Sequence, residues 1–138
     1  MKRVLFVGLS DKPDREPLDS RTQTGKIIDA ISDLIPGVMA YRTNLVDRAP
    51  IDDKGRLRYP TKEEIEECIP HLEKTVAEIS PDIIVSLGKT TEASLSKRFE
   101  NHISISHPSY IAVYKKKFSE EYIRSSAEKI ISELEQKK

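Results

Sequence analysis

Four short β-rich segments alternate with helical patterns along this chain, and this alternation limits the possible folds more than any other feature. The segments cover residues 3–8, 38–44, 82–88 and 102–106. Strand–helix alternation predicts a parallel sheet with helices on both faces and right-handed crossovers. We therefore expect a three-layer α/β/α fold with a four-stranded parallel sheet in the order 2-1-3-4. A length of 138 residues fits one domain, which we assign to residues 1–138.

The strands differ in how apolar they are, which indicates where each lies in the sheet. The first and third segments, RVLFVG and DIIVSLG, are almost continuously apolar. That pattern is typical of strands covered on both faces. The fourth segment, HISIS, alternates isoleucine with polar residues, as expected for a half-exposed edge strand.

The helical patterns carry their own start and stop signals. Pro36-Gly37 should end the first helix, and a capping box of Thr61 with Glu64 should start the second. Pro70 predicts a kink or a break inside that second helix. A shorter helix should run from residue 90 to 99, and Ser119 should cap the last helix.

Composition and charge narrow the possible functions. The only cysteine, Cys68, can form neither an internal disulfide nor a CxxC metal site. No apolar run approaches the length of a membrane span, and the N-terminus lacks the core and cleavage site of a secretory leader. We therefore expect a cytoplasmic protein without membrane contact. The net charge is zero, so nucleic-acid binding would need a local basic patch or backbone donors.

The predicted strand ends carry the side chains that could do chemistry. In a parallel sheet ligands bind beyond the carboxyl ends of the strands. Strand one ends in GLSDKPDRE, where an acid could position water, and strand two ends in Asn44, whose amide can read a pyrimidine edge. Strand three ends in GKTT, which opens a helix and suits a phosphate. Strand four ends in HPS, where an imidazole can face a developing anion.

Several stretches resemble the iron–sulfur-type uracil-DNA glycosylases. The segment from residue 41 to 95, YRTNLVDRAP…YPTKEEIEECIPHLEKTVAEISPDIIVSLGKTTEASL, is similar to the middle of that family. The ending SHPSYI resembles its H-P-S motif. The start, VGLSDKPDREPLDSRTQTGKIID, is similar to its first motif. Together they cover most of the chain in the family's order.

The resemblance implies excision of uracil, or of a related damaged base, from DNA. The target base flips into a pocket, where His107 would stabilise charge on the uracil oxygen and Asn44 would read its edge. The family's acid after strand one would orient water or stabilise the cationic sugar. Asp11 could substitute for that acid here, or catalysis could rest on electrostatics and His107 alone. The resemblance further implies that four residues contact the base, namely Gly8, Leu9, Ser10 and Ser20. It implies that four others contact the DNA phosphates, namely Gly88, Lys89, Thr90 and Ser109.

The chain departs from the family pattern at several functional positions. Leu9 stands where the family has glutamate, Ser10 where other branches place Asp or Asn, and Ser20 near the stacking phenylalanine. Arg48 occupies a cluster-cysteine position, and only Cys68 remains at another. One thiolate cannot hold a four-iron cluster, so we expect no cofactor.

Three interpretations stay open from the sequence. The first is a monomeric glycosylase that acts on uracil-containing DNA. The second is a catalytically degenerate protein of the same fold that binds nucleic acid or nucleotide without cleavage. The third is a flavodoxin-like nucleotide-binding domain. For the individual residues, Asn44 could instead bond to its own turn, Thr90 could simply cap a helix, and His107 and Asp11 could be ordinary loop residues.

Overall fold

The fold is an alternating α/β arrangement in a computed structural model that describes residues 2–10, 23–46, 50–56, 58–106 and 116–136. Four strands and four helices alternate along these residues. In chain order they are β1 (Lys2–Gly8), α1 (Gln23–Asp33), β2 (Val38–Asn44), α2 (Lys62–Ile79), β3 (Ile83–Leu87), α3 (Lys89–Leu95), β4 (His102–Ile105) and α4 (Lys116–Gln136).

The strands form one parallel sheet in the order β2-β1-β3-β4, which confirms the predicted topology. Strand β1 pairs with β2 along its whole length, from Lys2 opposite Val38 to Gly8 opposite Asn44. On its other side β1 pairs with β3, and β3 pairs with β4. All four strands therefore point the same way, and their carboxyl ends lie along one edge of the sheet.

Alternate residues of β1 feed two hydrophobic clusters, one on each face of the sheet. Val4 and Phe6 pack with apolar residues of α1 and α4. Leu5 and Val7 pack with residues of α2 and α3 on the opposite face. Side chains alternate across a strand, so the part of a central strand that has a helical layer on each side is apolar at almost every position. This accounts for the continuous apolar runs of β1 and β3.

Strand β4 lies at one edge of the sheet, as its alternating sequence predicts. Ile105 is buried against the first cluster, whereas His102, Ile103 and Ser104 are only partly buried. The opposite edge is β2, where most residues are also partly or fully exposed. The sheet thus leaves two strand edges without a strand neighbour within the described residues.

Helix α2 begins at the predicted capping box and continues through Pro70. Of the two predicted alternatives at Pro70, a kink or a break, the break does not occur. A proline removes one backbone donor, but Ile69 and Leu72 beside it are buried in the second cluster, and this packing holds the helix together. The prediction for the last helix is also wrong in detail, because α4 begins at Lys116 and Ser119 lies inside it.

An ion pair between Arg58 and Glu64 joins the segment that precedes α2 to the first turn of that helix. The Arg58 Nη1 donates to Glu64 Oε1 over 2.6 Å, and the Arg58 Nε donates to the carbonyl of Ile51 over 3.2 Å. Glu64 also accepts from the backbone N–H of Thr61 at 2.8 Å. One glutamate thus serves both the capping box and the loop that leads into the helix.

This arrangement predicts an acid-dependent loss of stability. The hydrogen bond from Arg58, then that from Thr61, lowers the pKa of Glu64 from 4.5 to about 2. The folded state therefore keeps Glu64 ionised at pH values where the unfolded chain protonates it. Its stabilisation is complete above pH 4.5 and is lost as the pH falls towards 2. We expect Glu64→Gln to flatten the decline of the melting temperature over that range, measured by circular dichroism.

The matched control for this prediction is Glu73→Gln, at an exposed position of the same helix. Glu73→Gln should keep the decline of the parent protein. An equal decline in Glu64→Gln and in the parent would contradict the assignment of this acid sensitivity to the Arg58–Glu64 pair.

Candidate functional site

The sheet register places the ends of β2 and β1 side by side. Gly8 lies opposite Asn44, and the pairing extends beyond both strands, because Leu45 N donates to Gly8 O at 2.7 Å and Val46 N donates to Leu9 O at 2.9 Å. The backbone that follows β1 is therefore fixed against the backbone that follows β2. This brings together four of the predicted site residues, namely Gly8, Leu9, Ser10 and Asn44.

Asn44 is buried at the carboxyl end of β2, with 7% of its surface exposed. Burying an amide costs free energy unless its groups make hydrogen bonds. An asparagine at this buried strand end therefore needs hydrogen-bond partners. Its side chain offers one acceptor oxygen and a donor NH₂ group. The position and the chemistry together suit recognition of a flat polar ligand at this edge of the sheet.

The side chain of Leu9 packs against the second hydrophobic cluster. It extends the apolar face of β1, which already carries Leu5 and Val7, by one further alternate position. Leu9 therefore contributes side-chain packing where the family pattern has a carboxylate. Ser10 follows it and is partly exposed.

The end of β3 turns directly into α3 at Gly88. Gly88 occupies the N-cap position with φ of 89°, a backbone conformation that side chains disfavour. Lys89 and Thr90 are exposed in the first turn, and Thr91 is buried. Thr90 is therefore not the helix cap, and the alternative role considered for it is wrong.

Four predicted site residues lie outside the described residues, namely Asp11, Ser20, His107 and Ser109. The described chain reaches Ser10, which precedes Asp11, and Ser106, which precedes His107. Gly88 N donates to Ile105 O at 3.0 Å, so the end of β3 is bonded to the end of β4, just before the HPS sequence.

His102, the first residue of β4, contacts the neighbouring strand. Its Nε2 lies 2.7 Å from the Oγ of Ser86, which is fully buried in β3. Burial lowers the pKa of His102, and the nearby Lys129 adds to this, while Glu92 opposes it. The lowered pKa favours the neutral imidazole, which links β3 to β4.

An open groove of about 350 Å³ runs along the outer side of β4. Residues 103–106 line it, together with Gly88, Lys89 and Glu92 from the β3–α3 junction and Lys129 from α4. The sequence reasoning missed Lys129. Its only signal is a seven-residue spacing from Tyr122, which places both side chains on one side of α4.

The chain matches the family model described as the uracil DNA glycosylase superfamily over residues 2–130. It belongs to the uracil-DNA glycosylase superfamily. The match spans all four strands and includes the strand ends described above. Membership of this superfamily replaces the interpretation as an unrelated flavodoxin-like domain.

A curated relative supports the same assignment. The chain is 32% identical over 123 residues to a Type-4 uracil-DNA glycosylase of Sulfurisphaera tokodaii. The matched region covers 83% of this chain and 54% of that relative. The chain thus spans about half the length of the glycosylase that it matches.

The residues of this superfamily member do not fit the iron–sulfur cluster of the branch that it resembles. A four-iron cluster is held by several cysteine thiolates. The chain has one cysteine, Cys68, which is buried in α2 beside Ile69. Among the described residues no group of three or more His, Cys, Asp and Glu side chains could hold a metal ion.

None of the described helices is long and apolar enough to cross a bilayer.

Thr91 offers a stability prediction next to the candidate site. Its side chain is buried, and its Oγ1 makes no hydrogen bond within the described part of the chain. An unsatisfied buried hydroxyl costs free energy. We expect Thr91→Val to raise the free energy of unfolding by about 1 kcal/mol, measured by urea denaturation.

The control for this change is Thr75→Val in α2. The Thr75 hydroxyl donates to the carbonyl of His71 at 3.0 Å, so its removal should bring no gain. A Thr91→Val protein that is less stable than the parent would show that the hydroxyl is satisfied.

Proposed function

We propose that this chain is a DNA glycosylase that hydrolyses the N-glycosidic bond of uracil, or of a related damaged base, in DNA. The observation that carries the proposal is the buried amide of Asn44, held beside Gly8 at the carboxyl edge of a uracil-DNA glycosylase-superfamily sheet. Asparagine matches the uracil edge, because its oxygen can accept from the N3–H and its NH₂ can donate to the O4.

In this proposal the uracil leaves the DNA stack and enters the space between the ends of the strands. Gly8 leaves that space without a side chain, Leu9 and Ser10 follow it in the chain, and Ser20 is a further residue proposed to contact the base. The site therefore binds a planar base through one amide and through backbone and small side chains. Bringing the base out of the stack costs a few kcal/mol, which these contacts must offset.

The proposed chemical step breaks the bond between the sugar C1′ and the uracil N1. The electron pair stays on the base, which leaves as an anion, and the sugar passes through a cationic state. His107 stabilises the negative charge on the uracil oxygen. Asp11 orients the attacking water or stabilises the cationic sugar. The water oxygen bonds to C1′, and its proton is released.

The DNA backbone is proposed to lie over the ends of β3 and β4. Lys89 and Thr90 are exposed there beside the Gly88 turn, and they would contact the flanking phosphates together with Ser109. Since all these residues come from one chain, we propose that the enzyme acts as a monomer. We also propose that it acts in the cytoplasm. Sedimentation velocity tests the monomeric state.

The test of the proposed activity is strand cleavage of an end-labelled oligonucleotide with one uracil. Single- and double-stranded forms are incubated with the protein and then treated with alkali, which cuts at abasic sites. We expect cleavage at the uracil and none in the matched thymine oligonucleotide. A folded protein at high concentration that leaves both oligonucleotides intact would contradict the proposal.

One observation favours a second candidate, a glycosylase-fold protein that binds uracil-containing DNA without cleaving it. Leu9, which takes the place of the family's glutamate, packs into the hydrophobic cluster and brings no acid to the site. Fluorescence anisotropy distinguishes the candidates. Tighter binding to the uracil oligonucleotide than to the thymine one, with no alkali-sensitive product, would establish the binder.

A further inference from the structure

We propose that the groove outside β4 binds a nucleotide unit of the DNA strand, with its phosphate held by Lys129 of α4 together with Lys89. This inference rests on the proposed action on DNA. It adds a contact from the last helix, outside the strand-end loops, to the proposed interface. The groove is open, and its lining includes the strand ends at Gly88 and Ser106.

The edge geometry of β4 decides which backbone groups face the groove. The carbonyls of Asn101 and Ile105 accept from the backbone N–H groups of Ile84 and Gly88 in β3, at 2.8 and 3.0 Å. In an extended strand, successive residues direct their backbone groups to opposite sides. The backbone groups of Ser104 and Ser106 therefore face away from the sheet.

Side chains of helix α4 donate hydrogen bonds to two of the outward-facing carbonyls of this edge, those of Ser104 and Ser106. The Lys129 Nζ donates to the carbonyl of Ser104 at 2.6 Å, and the Tyr122 hydroxyl donates to the carbonyl of Ser106. Burial raises the pKa of Tyr122, so its phenol keeps the proton that it donates. With these two acceptors engaged, the part of the edge that lines the groove, residues 103–106, presents mainly donors to a ligand.

The charges along the groove point to a phosphate-bearing ligand with a donor of its own. Two lysines, Lys89 and Lys129, line it, and both are exposed. Ammonium groups and backbone N–H donors are typical phosphate contacts. The one lining carboxylate, Glu92, can accept from an amino or hydroxyl group. A nucleotide supplies both the anion and the donor, whereas inorganic phosphate has no base or sugar to offer.

The size and place of the groove fit one unit of a strand. A volume of about 350 Å³ is at the lower end of small-ligand sites, which span ~300–1,000 Å³. Asn44 and the groove lie at opposite sides of a four-stranded sheet, roughly three strand spacings of about 4.8 Å apart. A DNA strand whose flipped base is at Asn44 can thus continue across Gly88 into the groove.

The test compares the salt dependence of DNA binding among charge variants of the intact protein. A fluorescein-labelled single-stranded oligonucleotide is titrated by anisotropy at several NaCl concentrations. We expect Lys129→Gln to weaken binding about three- to tenfold and to make the slope of log K against log salt less negative by about 0.7. Lys129→Arg, which keeps the charge, should retain the parent's slope.

The matched control is Lys74→Gln, at an exposed position of α2 outside the groove. Its slope should equal that of the parent, and circular dichroism verifies that every variant is folded. Equal slopes for Lys129→Gln and Lys74→Gln would overturn the inference, since a general charge effect would then explain both.

Two further outcomes distinguish binding of a DNA strand from binding of a free nucleotide, and this inference from the proposed excision activity. Deoxythymidine monophosphate serves as the free nucleotide. If it binds the parent with Lys129-dependent affinity while the oligonucleotide does not, the DNA strand is the wrong occupant. Base excision is assayed in parallel. Lys129-dependent salt slopes without excision would leave the inference standing and remove the proposed activity, whereas excision with unchanged slopes would do the reverse.

Discussion

Asn44→Ala is expected to lower the rate of uracil excision at least ~10²-fold. The substitution removes the amide that is proposed to bind the N3–H and O4 of uracil, at a position held by the pairing of β1 with β2. Single-turnover excision with excess protein measures the chemical step directly. The loss should appear in that rate because the amide contacts the leaving base as its charge develops.

The matched control for Asn44→Ala is Asn101→Ala. Asn101 lies before β4, at the opposite end of the sheet, where its Nδ2 donates to the carbonyl of Pro81 at 3.0 Å. Loss of that bond should lower stability modestly, by about 1 kcal/mol, and leave excision close to the parent's rate. Equal rates in both variants would exclude Asn44 from the base pocket.

Phe6→Ala should lower the free energy of unfolding by about 3–5 kcal/mol. Phe6 is fully buried in the first cluster, two residues before Gly8 on a strand paired on both sides. Truncation removes the ring from the packing between the sheet and α1 and α4. A domain of this size has a total free energy of unfolding of only ~5–15 kcal/mol. We therefore expect Phe6→Ala to destabilise the candidate site at the end of β1 as well.

Urea denaturation followed by circular dichroism measures this loss. The control is Tyr59→Ala, whose ring is 79% exposed, and its effect should lie within about 0.5 kcal/mol. A Phe6→Ala protein whose urea midpoint is as close to the parent's as that of Tyr59→Ala would contradict this prediction. Packing of Phe6 between β1 and the two helices would then not contribute the expected stability.

The topology was predictable because burial on both faces leaves a strong mark on the sequence. A central parallel strand is apolar at almost every covered position. Residues Val4 to Gly8 of β1 and all of β3 are buried. The alternation of HISIS likewise predicted an edge strand. Such patterns reflect layers of packing, which local sequence records well.

The helix details were less predictable because tertiary packing overrides local signals. Pro70 would interrupt an isolated helix, but the buried residues around it hold α2 together. Ser119 is a good cap by type, yet α4 starts at Lys116. At Pro70 the buried face of the helix outweighs one residue's preference.

The candidate site was predictable only where it follows from strand ends. The parallel topology brings Asn44 beside Gly8 and places Gly88 near the end of β4. In contrast, the Lys129–Ser104 contact joins residues 25 positions apart, and no local pattern reports it. Nor does the sequence alone show that the side chain of Leu9 packs into a cluster.

Detection of free uracil tests the central claim most directly. The parent protein is incubated with single- and double-stranded uracil oligonucleotides, and the supernatant is analysed by mass spectrometry beside a thymine control. We expect free uracil in amounts equal to the abasic sites formed, with little from Asn44→Ala. Folded parent protein that binds the uracil oligonucleotide but releases no uracil would contradict the glycosylase account and establish the non-cleaving binder.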